Sequence, residues 1–192
     1  MNISEGTQVV IAYDFSTTSE IAFERGIELA ARSPRHVLHV LTVVDDAHPV
    51  PELPTPKVDY EYTEKVQARV AEKLTAAFAA RAPDISVRFI VHVRIGKPAQ
   101  EILGLAADVG AELVIVGSHG FRGVDRLLFG SVSEAVVRGA HCPVLVVRPK
   151  TYPTVDLVEV VENTEHQRYV KPHRYTYDEG RVMQRSSDWT IW

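Results

Sequence analysis

The chain is 192 residues long, with 45% hydrophobic and 24% charged residues and a formal net charge of -4, which leaves room for one ordinary domain plus an appendage. That charge balance gives no electrostatic case for nucleic acid or an anionic membrane surface, so neither is expected as a partner. The single cysteine, Cys142, excludes an intramolecular disulfide and a cysteine-based metal cluster; no apolar run is long enough to span a bilayer, and MNISEGTQVVIAYD at the start lacks the pattern of a secretory leader. A protein of the reducing cytoplasm is expected.

Gln8 to Ala12 is a short apolar run that reads as a buried strand. Thr17, with Glu20 three residues on, resembles a capping box. Ile21, Phe23, Ile27 and Ala30 follow at roughly helical spacing, so Thr18 to Arg32 reads as a helix. Val37 to Val44 is nearly all apolar and rich in valine, as in a strand of a parallel sheet buried on both faces. Pro49, Pro51, Pro54 and Pro56 then enforce an extended loop.

Val66, Val70, Leu74 and Phe78 form the apolar stripe of a long helix. Ile85 to Ile95 alternates Val87, Phe89, Val91 and Val93 and reads as a strand. Gly96-Lys97-Pro98 breaks the chain, Ala99 to Val109 reads as a helix, and Leu113 to Val116 as a short buried strand. A glycine-rich stretch from Gly117 to Gly130 precedes a helix over Val132 to Gly139, and Val144 to Val147 is the last strand. Five alternations of strand and helix imply a parallel sheet with helices on both faces, because the crossovers share one hand. In such sheets ligands bind beyond the carboxyl ends of the strands where strand order reverses, which here means the ends of the first and fourth strands, at Asp14 and Gly117.

Residues 1–150 thus form the expected α/β domain and residues 151–192 an extension that breaks the pattern. The extension mixes Tyr152, Tyr169, Tyr175, Tyr177, Trp189 and Trp192 with charges, and Val155 to Val161 suits one more strand. Two readings of it stand: a partly disordered tail, or an arm packed on a partner subunit, which its aromatics favour.

The glycine stretch reads Gly117-Ser118-His119-Gly120, nine residues, then Gly130-Ser131. A loop between a strand end and a helix start exposes backbone amides, and glycines let a phosphate come close to the main chain. The helix opened by Gly130-Ser131-Val132-Ser133 adds partial positive charge for an anion, with two hydroxyls as further donors. There is no GxxxxGK[ST], no GxGxxG after the first strand and no kinase signature, so the common nucleotide motifs do not apply. The remaining histidines lie at no metal-ligand spacing. His39 sits inside an apolar strand and reads as a core histidine, and Cys142 as a packing residue.

The spacing Gly117-x2-Gly120-x9-Gly130-Ser131 resembles the ATP-binding motif of the universal stress protein family. Asp14-Phe15-Ser16, Leu38-His39-Val40, Gly96-Lys97-Pro98 and Cys142-Pro143-Val144-Leu145-Val146-Val147 resemble further parts of that family, over about residues 6 to 149. The resemblance implies a Rossmann-like α/β fold with a five-stranded parallel sheet ordered 3-2-1-4-5. It also implies a homodimer paired through the last strands. By the same resemblance Asp14 contacts ribose, Val40 contacts adenine, and Val116 and Gly117 form the strand end beside ribose and phosphates. Gly120, Gly130, Ser131 and Ser133, with Val132 in the same turn, form the phosphate cradle. Ala12-Tyr13 stands where ATP-binding members often have Pro-Thr, placing the bulky Tyr13 to stack on the base or crowd it. His119 stands where some members carry a basic or polar residue.

The reading that follows is a regulatory, non-enzymatic protein that binds ATP with Mg²⁺, with little or no hydrolysis and a nucleotide state read through a dimer surface. Two alternatives are an adenylating enzyme and an interaction module that acts through residues 151–192.

Overall fold

The computed structural model describes residues 6–47, 49–81, 86–120, 130–151, 174–178 and 181–185, the last two segments as backbone. Two compact units emerge, Met1–Pro149 and Lys150–Trp192. In the first, β1 (Thr7–Ala12), β2 (His36–Val44), β3 (Arg88–Ile95), β4 (Leu113–Gly117) and β5 (Val144–Val147) alternate with α1 (Thr17–Arg32), α2 (Tyr60–Arg81), α3 (Pro98–Asp108) and α4 (Ser131–Gly139). The five strands form one sheet, ordered β3-β2-β1-β4-β5, and every pairing is parallel. This is the expected Rossmann-like order.

Both sheet faces are covered, which is why β1, β2 and β4 are continuous apolar runs. On one face Val9, Ile11, Leu38, Val40 and Ile115 pack with Phe23 and Ile27 of α1 and Val66, Val70 and Leu74 of α2. On the other, Val10, Leu41, Val114 and Val116 pack with Ile102 and Leu105 of α3 and Val136 of α4. β3 is an edge strand and no residue of it is fully buried. Its alternation places Phe89, Val91 and Val93 against the first core. The strand starts at Arg88 rather than Ile85, which lies outside the described residues together with Val155 to Val161.

Three helix starts differ from the sequence reading, each by one residue, and at α4 the first helical residue is Ser131 rather than Val132. The N-cap of α1 is Ser16, whose hydroxyl accepts from Ser19 N at 3.2 Å, and Thr17 is already helical. In a Ser-Thr-Thr run the residue that leaves the helical backbone becomes the cap, and Ser16 is extended (φ -78°, ψ 158°). Glu20 does not return to the cap; its carboxylate accepts from Tyr13 Oη at 2.5 Å. α3 starts at Pro98, since proline suits the first helical position where its missing N–H costs nothing.

The second unit contains an antiparallel hairpin of β6 (Arg174–Asp178) and β7 (Arg181–Arg185), in register Arg174↔Arg185 to Asp178↔Arg181.

Candidate nucleotide-binding site

β1 and β4 are neighbours at the centre of the sheet, and their connections leave to opposite faces, α1 after β1 and α4 after β4. The crevice at their carboxyl ends is a cavity of about 670 Å³, within the usual range for a small-molecule site. Ala12, Tyr13, Asp14, Val116, Gly117, His119, Gly120, Gly130, Ser131, Val132 and Ser133 all line it.

Val40 does not. It is fully buried in the core on the α1/α2 face, beside Ile11 and Leu38. The residues of β2 that line the cavity are Leu41, Thr42 and Val43, nearer the carboxyl end of the strand. Thr42 shares the face of Val40, so it is depth along the strand, inside the core, that keeps residue 40 out of the cavity.

Tyr13 also behaves differently from expectation. Its ring is 2% exposed, lies edge-on to Phe23 at 6.3 Å and sits 5.0 Å from the Phe15 ring. Burial and the Glu20 carboxylate hold its phenol neutral well above the ordinary range. The side chain is a core residue, and its backbone carbonyl is held by the Thr42 hydroxyl at 2.9 Å.

Two glycines permit close approaches. At Gly117 a Cβ would stand 2.4 Å from Thr18 Oγ1, the hydroxyl that donates to the carbonyl of His119. At Gly120 a Cβ would stand 2.7 Å from Asp14 Oδ2. The first turn of α1, the glycine loop and the Asp14 carboxylate therefore meet at distances no other residue allows. Oδ1 of Asp14 accepts from Ser16 N at 3.1 Å and from Ser16 Oγ at 2.5 Å. Asp14 thus both shapes the entry to α1 and lines the cavity.

The far side of the loop is stapled by Ser118, which is 1% exposed. Its N–H donates to Val147 O, and its carbonyl accepts from Gly130 N, both at 2.7 Å. Ser133 Oγ lies 3.1 Å from the same carbonyl and 2.9 Å from Gly130 O. Ser133 is 3% exposed, and its one hydroxyl proton is committed inside the staple. In this structure it shapes the loop. Ser131 carries no such commitment, and α4 has glycine at its N-cap with no side-chain cap bond. His119 Nδ1 lies 3.1 Å from Ser118 Oγ.

Residues not anticipated also face the cavity. They include Phe15, Asp45, Pro49 to Pro51, Lys97 and Ile102. The proline-rich loop forms one wall because it is tied down. Tyr62 Oη accepts from Val50 N at 2.7 Å, Asp46 accepts from Val58 N at 2.8 Å, and Glu52 pairs with Lys73 at 2.6 Å and Arg69 at 2.8 Å. Arg122, Asp125 and Arg126, in the spacer between the two halves of the motif, lie outside the described residues.

His39 is buried, as the strand pattern implied, with Nε2 2.7 Å from Gln8 Oε1 and Nδ1 3.0 Å from His92 Nε2. Cys142 packs against the α3/α4 core, and burial raises its thiol above the ordinary value. No group of three or more metal-binding side chains occurs among the described residues, and none of their helices is long and apolar enough to cross a membrane.

The model of the universal stress protein family matches residues 7–148, β1 through β5 and the whole crevice. The chain belongs to this family. A Staphylococcus epidermidis protein that carries the universal stress protein name is 33% identical over 147 residues, 76% of this chain and 86% of the relative. Among solved structures, the universal stress protein UspA from Lactobacillus plantarum superposes with a TM-score of 0.56 at 26% identity, covering 74% of this chain and 97% of that one. A universal stress protein solved in complex with cAMP has the same fold, with a TM-score of 0.53 at 23% identity over 75% of this chain and 98% of its own.

Proposed function

We propose that this universal stress protein binds an adenine nucleotide, ATP with Mg²⁺, as a regulatory ligand that it holds rather than turns over. The observation that carries the reading is the start of α4. Its first turn opens into the 670 Å³ cavity, begins at a glycine and lacks any side-chain cap. The α1 terminus at the same cavity is closed by its own Ser16. An uncapped first turn offers N–H groups and partial positive charge to an anion. The Ser131 hydroxyl adds a donor, and Gly120 leaves room for backbone approach.

The residues fit the other parts of such a ligand. Leu41, Val43 and Ile102 give apolar surface for a base, and Asp14 gives an acceptor for ribose hydroxyls. A magnesium ion travelling with the triphosphate takes most of its oxygens from phosphate and water, and Asp14 and Asp45 are the carboxylates at hand. Val40 is not part of this reading. Asp14 is already bonded to Ser16 and Ser133 to the loop staple, which favours holding over chemistry. Turnover well below ~1 s⁻¹ is expected.

For the dimer, the support is the sheet order: β5 is an edge strand, with Leu145 and the neighbouring α4 residue Val137 exposed. For residues 151–192 as an arm, the support is the hairpin β6–β7, since two strands alone are marginal in water. The dimer surface is where a partner would read the nucleotide state.

Calorimetry with Mg-ATP tests the reading. Binding is expected for the intact chain, and Gly130→Val should weaken it at least tenfold. A Cβ at residue 130 would stand 3.2 Å from the Ser118 carbonyl, and its branches would shield the first-turn amides. No heat with the intact protein would overturn the proposal.

A further inference from the structure

Phe15 is the one non-glycine residue with positive φ among the described residues, at 66°. Bulky L-residues rarely adopt this left-handed conformation and β-branched ones almost never do. It persists only where the surroundings over-determine it. Two contacts on the ring do so here. The Tyr13 ring lies 5.0 Å away at 58°, and Lys73 Nζ stands 5.1 Å over the Phe15 ring centre. Lys73 is itself fixed by Glu52, which Arg69 holds as well.

The left-handed turn has a consequence one residue to either side. It brings Ser16 N and Oγ back onto Asp14 Oδ1 at 3.1 and 2.5 Å. With that oxygen tied, the second one faces Gly120, where an added Cβ would lie 2.7 Å from it. Phe15 lines the cavity too, but the handedness of its backbone is what aims the carboxylate.

We infer that Phe15 is a positioning residue for ribose selection. Its ring, gripped by Tyr13 and Lys73, holds a left-handed turn, and the turn fixes the Asp14 carboxylate where it accepts from ribose hydroxyls. This rests on the reading of Asp14 as the ribose ligand. The selectivity depends on the backbone conformation at residue 15, so a side chain that tolerates positive φ preserves it without a ring. Asparagine tolerates that region and valine does not.

The test is calorimetric titration of the full chain with ATP and with 2′,3′-dideoxy-ATP. The wild-type chain should prefer ATP by about tenfold, the loss expected for a hydrogen bond to a charged group. Phe15→Asn should keep that preference within about threefold. Phe15→Val should lose it, its affinity for ATP falling to that for dideoxy-ATP. A purely structural role for the ring would lower both affinities together and leave their ratio alone. If Phe15→Val does not fold, Lys73→Met, which removes the cation over the ring, replaces it and should reduce the ratio two- to threefold.

A wild-type ratio in whichever of these two variants is measured overturns the inference, as does equal loss in the asparagine and valine variants. A wild-type chain that binds both nucleotides alike overturns the role of Asp14 and this inference with it. One that binds neither overturns the nucleotide reading itself.

Discussion

The His39–His92 imidazole pair makes the stability of the sheet depend on mild acid. Gln8 Oε1 accepts from His39 Nε2, so the other His39 nitrogen accepts and His92 Nε2 donates to it. Both rings are neutral in this arrangement. His92 is pushed down to about 4, first by burial and then by His39 and Arg94, and burial lowers His39 as well. In the unfolded chain each imidazole titrates near 6.5. Between those values the unfolded chain binds protons that the folded chain refuses, so stability is complete above about pH 6.5 and falls as pH drops towards 4. At ~1.4 kcal/mol per unit a fully shielded His92 would contribute ~3 kcal/mol. The ring is only partly buried, and screening by water reduces that to on the order of 1–2 kcal/mol. His92→Gln keeps an N–H donor for His39 and cannot titrate. Urea unfolding of both proteins at pH 7.5 and 4.5 should show the wild type losing on the order of 1–2 kcal/mol more than the variant. Parallel losses would refute the reasoning, since carboxylates elsewhere titrate equally in both.

Two further outcomes follow from the site and the sheet edge. Ser133→Ala removes a hydroxyl held between two buried carbonyls, so thermal unfolding should report a loss of ~1 kcal/mol, while the ATP dissociation constant should move less than about threefold in calorimetry. A large affinity loss at unchanged stability would instead make Ser133 a phosphate ligand. Leu145→Lys places a charge on the exposed edge strand β5; light scattering is expected to find a dimer for the wild type and a monomer for the variant, and an unchanged mass would exclude this edge as the interface.

The five strands of the sheet were legible because each is a short stretch dominated by apolar residues, with a helical stripe between, whereas their order was implied by the family resemblance. The same uniformity hid where β2 reaches the cavity. In HVLHVLTVV no polar residue alternates with the apolar ones, so nothing in the string tells Val40, buried in the core with Phe23 and Ile27, from Leu41, Thr42 and Val43, which line the cavity. Tyr13 was misplaced for a related reason. Its position in the chain is at the site, but its ring turns inward to Phe23 because Glu20, one turn into α1, offers the hydroxyl a buried acceptor. The proline run was readable as a loop, yet its role as a cavity wall depends on partners distant in sequence, such as Lys73 and Arg69. The pairing of β6 with β7 has no comparable signal in the string, since Arg181 to Arg185 sets Val182 and Met183 side by side rather than in alternation.

The Ser118–Gly130 staple has an implication for what sets the position of α4. The N–H of Gly130 closes on the Ser118 carbonyl, and Ser118 N is in turn held by Val147 of the neighbouring strand. The first turn of α4 is thereby tethered to the end of β4 and to β5, so the amides on which anion binding depends take their position from the sheet.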